Sequence, residues 1–140
     1  MSSASKQVVA IGIFDGVHRG HQKILARARE IGNALSLPVV ALTFHPHPTA
    51  VLAPDMQPSL LLNIHSRLEL LEKHGANDVE VLTFSKEFSS MSPQAFIEDI
   101  LIDLLTTPAP CVSCSLLTKP IFYCSLVASS MSIMGISSLI

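Results

Sequence analysis

Three short apolar runs, residues 7–13, 39–44 and 79–84, constrain the fold more than any other feature of this chain. Each is rich in β-branched residues and lacks the strict polar alternation of a half-solvated strand, so each is expected to be a strand covered on both faces. Strands of that kind form parallel sheets, and parallel strands must be joined by crossovers, usually helical. The intervening sequence supplies them. From His21 to Leu35, apolar residues recur at Ile24, Ala28, Ile31 and Leu35, with Lys23, Arg27, Arg29 and Glu30 largely opposite. Pro38 ends that connection, and the prolines at 46, 48, 54 and 58 predict loop or broken helix over 45–60. Asn63 is placed to cap a helix through His74, with Ile64, Leu68 and Leu71 inward, Gly75 as a stop, and Glu69 paired to Lys73. Ser92-Pro93 opens a third helix, lined by Phe96, Ile100 and Leu104. The order β-α-β-α-β-α predicts an α/β fold, a doubly wound parallel sheet with ligands at the carboxyl ends of its strands.

After Leu105 the pattern stops. Of the 20 charged residues, 19 lie in 1–103 and only Lys119 lies beyond, and all three cysteines (Cys111, Cys114, Cys124) are in the same tail. The chain therefore divides into 1–105 and an apolar, serine-rich segment 106–140 with no evident periodicity. With three strands the sheet is thin, one edge is expected to stay open, and the folding unit looks incomplete. Such an edge beside an apolar, almost uncharged tail predicts poor solubility, partly relieved by cutting after Leu105. Cys111-Val-Ser-Cys114 has a zinc or redox spacing, but no second pair accompanies it, and accident is the better account. Residues 121–140 have the length of a membrane span, but their serine content argues against one. The N-terminus lacks a secretory h-region, so a cytoplasmic setting is expected. A net charge of −2 provides no basic stripe for nucleic acid.

The chemistry-bearing stretch is Gly12-Ile-Phe-Asp-Gly-Val-His-Arg-Gly-His-Gln22, between the first strand and first helix. Amides and dipole at a helix start favour an anion. Gly16 and Gly20 allow tight turning and close approach of backbone to a ligand. His18 and His21, three apart, can share one space above the strand, and imidazole donors suit the charge that builds on a phosphoryl group in transfer. An acceptor that is itself a phosphate needs no nucleophilic side chain. The spacing matches neither the P-loop nor the dinucleotide fingerprint. The plainer alternative is that these histidines cap a helix or fill a turn. His45 and His47 could join them in a metal site, but no carboxylate or cysteine stands at fixed spacing, and no metal ligands are assigned. His65 and His74 are expected at the surface.

Phe14-Asp-Gly-Val-His-Arg-Gly-His-Gln22 resembles the nucleotide-binding loop of bacterial FAD synthetases, usually the N-terminal half of the bifunctional riboflavin kinase/FMN adenylyltransferase. Thr43-Phe-His-Pro-His-Pro48 resembles that family's Thr-Phe-x-Pro-His-Pro segment, and residues 84–96 are a softer match. Together they cover about 8–105. The resemblance implies a Rossmann-like nucleotidyltransferase fold and transfer of AMP from ATP to FMN, giving FAD and pyrophosphate with Mg²⁺. It implies that His18 and His21 hold the ATP phosphates and stabilise the transition state at the α-phosphate. Gly12, Phe14, Asp15, Gly16 and Gly20 would shape the nucleotide loop. Thr43, Phe44, Pro46, His47 and Pro48 would border the site, the last three on the flavin side.

Family members continue after the third helix with a strand and Gly-x-Asp-Phe-x-Phe-Gly, then Ser-Ser-Thr-x-Ile-Arg and a riboflavin kinase barrel. None of these is present here. The expectation is a truncated family member whose tail, from a frameshift, mis-joining or divergent splice, is not native to the fold. Two alternatives accompany it: a remnant that binds nucleotide weakly without turnover, and a nucleotidyltransferase with another phosphate acceptor.

Overall fold

The computed structural model describes residues 7–92, 95, 96, 99, 100 and 111–113. Four strands, β1 (Val8–Ile11), β2 (Val39–His45), β3 (Asp78–Thr83) and β4 (Cys111–Ser113), form one sheet in the order β3-β2-β1-β4, with every neighbouring pair parallel. The helices are α1 (Arg19–Leu35), α2 (Pro48–Leu52), α3 (Ile64–Lys73) and the single turn α4 (Lys86–Ser89).

The period of two along β1 and β2 sorts their side chains onto two cores. Val8, Ala10, Val39 and Ala41 pack with Ile24, Leu25 and Ala28 of α1 and Leu71 of α3. Val9, Ile11, Val40, Leu42 and Phe44 pack on the other face with Phe84 and Phe96, against which Val51 and Leu52 of α2 and Phe88 of α4 are partly buried. Helices thus cover both faces, as a doubly wound sheet requires. From β1 the chain steps outward to β2 and β3, then returns to the far side of β1. That reversal makes the β1/β4 boundary the topological switch point, where crevices in such sheets open.

The structure departs from expectation in several places. A fourth strand does exist among the described residues, with Val9, Ala10 and Ile11 in register with Cys111, Val112 and Ser113. It had no sequence signal because three residues are too few to show a period. β3 is not covered on both faces: Val81 and Thr83 are exposed, as befits an edge strand paired only to β2. The buried stripe of α1 runs through Leu25 and Gly32, and Leu35 is 48% exposed. On α3 the buried residues are Arg67 and Leu71, with Ile64 and Leu68 only partly covered. No salt bridge joins Glu69 to Lys73; the ion pair among the described residues is Arg27–Glu30. Asn63 caps α3 as expected, its Oδ1 accepting from Ser66 N at 2.9 Å. Ser92 Oγ accepts from Ala95 N at 3.1 Å, in keeping with a helix start there. Pro93, Leu104, Cys114, Cys124 and residues 121–140 lie outside the described residues, among which no helix is long and apolar enough to cross a membrane.

Gly32 shows why the α1 stripe turned. A Cβ there would sit 2.7 Å from the Leu37 carbonyl oxygen, on the backbone that enters β2. The same carbonyl region closes the helix, since Leu37 N donates to Gly32 O at 2.8 Å with Ser36 left-handed between them. Gly32→Ala gains about 1 kcal/mol of helix propensity but overpacks a rigid contact, at about 1–3 kcal/mol. We expect net destabilisation, visible as a lower Tm; a raised Tm would show that the β2 entry is free to move.

Candidate active site

The site is built where β1 ends. Gly12 N donates to Leu42 O at 3.0 Å, carrying the pairing with β2 one residue past the strand. Phe14 then turns left-handed (φ 56°) with its ring fully buried, and a 3-10 turn over Asp15–Val17 follows. Within it Gly16 has φ 74° and Val17, a β-branched residue, φ 37°. Two non-glycine residues at positive φ in four positions mark a strained loop, the kind that is retained where geometry matters. At Gly16 the conformation needs glycine, and a Cβ would also meet Leu61 at 2.8 Å.

His18 is the N-cap of α1: its Nδ1 accepts from Gly20 N at 3.1 Å and from His21 N at 3.4 Å. The capping alternative is therefore realised, and it carries a chemical consequence. An Nδ1 that accepts cannot hold the proton of the neutral ring, so Nε2 is the protonated nitrogen and a donor. The amides of Gly20 and His21, expected to be free for an anion, are instead engaged by this imidazole. Glycine at 20 leaves room for the ring, since a Cβ there would lie 3.0 Å from His18 Cε1.

The His21 ring stacks on that of His18, centroids 3.6 Å apart and planes 19° from parallel, with the Phe14 ring edge-on at 5.3 Å. Its Nδ1 is buried without a partner. Burial and, next, the adjacent His18 push its pKa down to about 4, against an opposing pull from Asp15. His21 is thus neutral near pH 7. A group whose folded pKa lies below its unfolded value binds fewer protons folded than unfolded in between. Its contribution is complete above about pH 6.5 and is lost as pH falls toward 4. We expect the Tm to drop across that window and the drop to shrink in His21→Asn; an unchanged slope in the variant would place the titration elsewhere.

Asp15 pins the loop to the approach of α3. Its Oδ1 accepts from Leu61 N and Leu62 N at 3.1 and 3.2 Å, and Oδ2 from Leu61 N at 3.0 Å. The second loop leaves β2 through a cis His45–Pro46 peptide. His47 Nδ1 accepts from Thr49 N at 3.1 Å and caps α2. Its pKa is lowered chiefly by burial and further by Arg67, while Asp15 acts in the opposite sense, so both loops lie within one electrostatic environment. Thr43 is fully buried, and its Oγ1 donates to Ile13 O at 2.9 Å, joining the two strand exits. Phe44, expected to border the site, is given to the second core, its ring 6.1 Å from Phe84 and 5.8 Å from Phe88. Pro46 and His47 are half-buried, Pro48 is buried, and His45 is exposed.

Sequence reasoning missed Arg67, which is 1% exposed. Its position four residues before Leu71, on the inward face of α3, was the available signal. No group of three or more His, Cys, Asp or Glu arranged to hold a metal occurs among the described residues.

Sheet order and loop placement define a Rossmann-like α/β protein whose β1–α1 loop leaves the strand at the switch point. The FAD synthetase family model matches residues 1–109. The bifunctional riboflavin kinase/FMN adenylyltransferase of Bacillus subtilis is 39% identical over 101 residues, 71% of this chain and 32% of that protein. Its namesake in Escherichia coli K12 is 37% identical over 95 residues, 68% of this chain and 30% of that one. A crystal structure described as a macrolide-efflux protein from Streptococcus pneumoniae superposes with a TM-score of 0.66 at 28% identity, covering 81% of this chain and 37% of that one. The chain belongs to the FAD synthetase family, and it spans about a third of the length of these enzymes.

Proposed function

We propose that this chain carries an FMN adenylyltransferase site, at which a phosphate oxygen of FMN attacks the α-phosphorus of ATP. The new P–O bond makes FAD, and the bond to the β-phosphate breaks to release pyrophosphate. The observation that supports this most is the stacked His18–His21 pair at the start of α1, in the loop leaving β1, the strand at the sheet's switch point. His18 Nε2–H is a donor whose direction is fixed by its own cap. A neutral His21 still keeps one ring N–H to donate to a phosphate oxygen. Such preorganised donors stabilise charge as it develops on the transferred group.

On this reading Gly12, Phe14, Asp15, Gly16 and Gly20 form the nucleotide side and Pro46, His47 and Pro48 the flavin side. Thr43 acts by joining the strand exits. Mg²⁺ enters with the ATP polyphosphate as part of the substrate, and no step is assigned to it. Both substrates suit a cytoplasmic setting.

The test is FAD formation by the purified chain from FMN and Mg-ATP, followed by chromatography. Turnover supports the reading. Nucleotide binding without turnover points to a remnant, and turnover only with other phosphate acceptors, without quenching of flavin fluorescence on titration, moves the chain to a different nucleotidyltransferase specificity.

A further inference from the structure

Two buried side-chain atoms among the described residues have no hydrogen-bond partner, His21 Nδ1 and Arg67 Nε. The first belongs to the site above. The second belongs to Arg67, which is 1% exposed and has no carboxylate within ion-pair distance among the described residues. A buried cation in that state is costly, and a helix face turned to a core is filled more cheaply by leucine. What Arg67 touches accounts for its presence. Nη1 donates to Ile13 O at 2.8 Å and, at 3.4 Å each, to Thr43 Oγ1 and Phe44 O. Ile13 immediately precedes the strained Phe14 turn, and Phe44 lies one residue before the cis His45–Pro46 peptide. Thr43 Oγ1 donates to the same Ile13 carbonyl. One side chain from α3 therefore holds the exits of both β1 and β2, while Asp15 holds the approach to α3 from the other direction.

We propose that Arg67 is a positioning residue: its guanidinium ties the β1 and β2 exits together, so that the His18–His21 loop and the Pro46–Pro48 loop face one reaction. What the loops do rests on the adenylyl-transfer reading; the tie itself does not. If one loop takes ATP and the other FMN, loosening the tie leaves each reactant bound and spoils their alignment, which is felt in kcat.

Arg67→Met keeps much of the apolar stem and removes the donors. In it we expect amide hydrogen exchange to quicken together in segments 12–18 and 43–49 but not in the body of α1. FMN and Mg-ATP affinities should stay within about threefold and kcat fall at least tenfold, a split that proximity effects of this size allow. Arg67→Lys retains a charged donor able to meet the same carbonyl and should restore kcat to within a few-fold. Unchanged exchange in both segments, unchanged kcat, or a lysine variant as poor as methionine would each overturn the proposal. If Arg67→Met does not fold, Arg67→Gln, polar but too short for Ile13 O, takes its place under the same outcomes. If the wild-type chain makes no FAD, the functional reading fails, and the exchange of the two segments alone decides the tie.

Discussion

Replacing His18 and His21 together with alanine is expected to lower FAD formation by about 10³-fold while FMN still binds. Loss of one preorganised donor to a developing charge costs roughly 10²–10³ in kcat. Groups that act as a unit are far from additive, so the double variant should lie near 10³ and not at the product of the two. The complication is that His18 also caps α1, and losing a cap costs about 1 kcal/mol of stability. His18→Asn separates the roles, because asparagine is among the best N-caps but cannot place a donor where Nε2–H stands. A stable His18→Asn variant with the low activity of His18→Ala assigns the imidazole to the reaction. Full activity in His18→Asn would leave His18 a cap and nothing more.

The placement of this loop was legible because glycine spacing, the first strand and the first helix are local signals. Each is carried by residues within one turn or one strand of the next. The second loop was legible for the same reason: prolines at 46, 48, 54 and 58 forbid a long helix, and the structure answers with α2 and a short 3-10 turn over Pro54–Met56. What escaped is non-local. Arg67 lies on a helical face that periodicity assigns inward, but its burial is set by carbonyls at Ile13 and Phe44, far away in sequence. The occupation of the Gly20 and His21 amides depends on a rotamer of His18, which no spacing rule specifies. Phe44 sits beside the site in sequence, yet alternation along β2 sends its ring to the core with Phe84. β4 is the plainest case, since a three-residue strand takes its identity from the neighbour that accepts it, here β1.

That strand bears on how short the chain can be made. Cutting after Leu105 removes a strand of the sheet as well as apolar tail. In the structure, Cys111–Ser113 pairs with β1, whose residues Val8, Val9, Ala10 and Ile11 are all buried. Residues 1–105 alone would leave β1 with a free row of amides and carbonyls, a template for pairing with another copy. Ladder bonds are worth about 1 kcal/mol each, net. Losing three register pairs therefore costs roughly 2–4 kcal/mol before newly exposed apolar surface is counted. Against the 5–15 kcal/mol typical of a domain, that is a large share. We expect chain 1–105 to unfold at lower temperature and yield less soluble protein than chain 1–113, measured side by side. The cut also frees the β4 side of β1, the strand that leads into the His18–His21 loop, so FAD formation should fall along with stability. A 1–105 chain as stable, soluble and active as 1–113 would show that β4 adds nothing to the sheet.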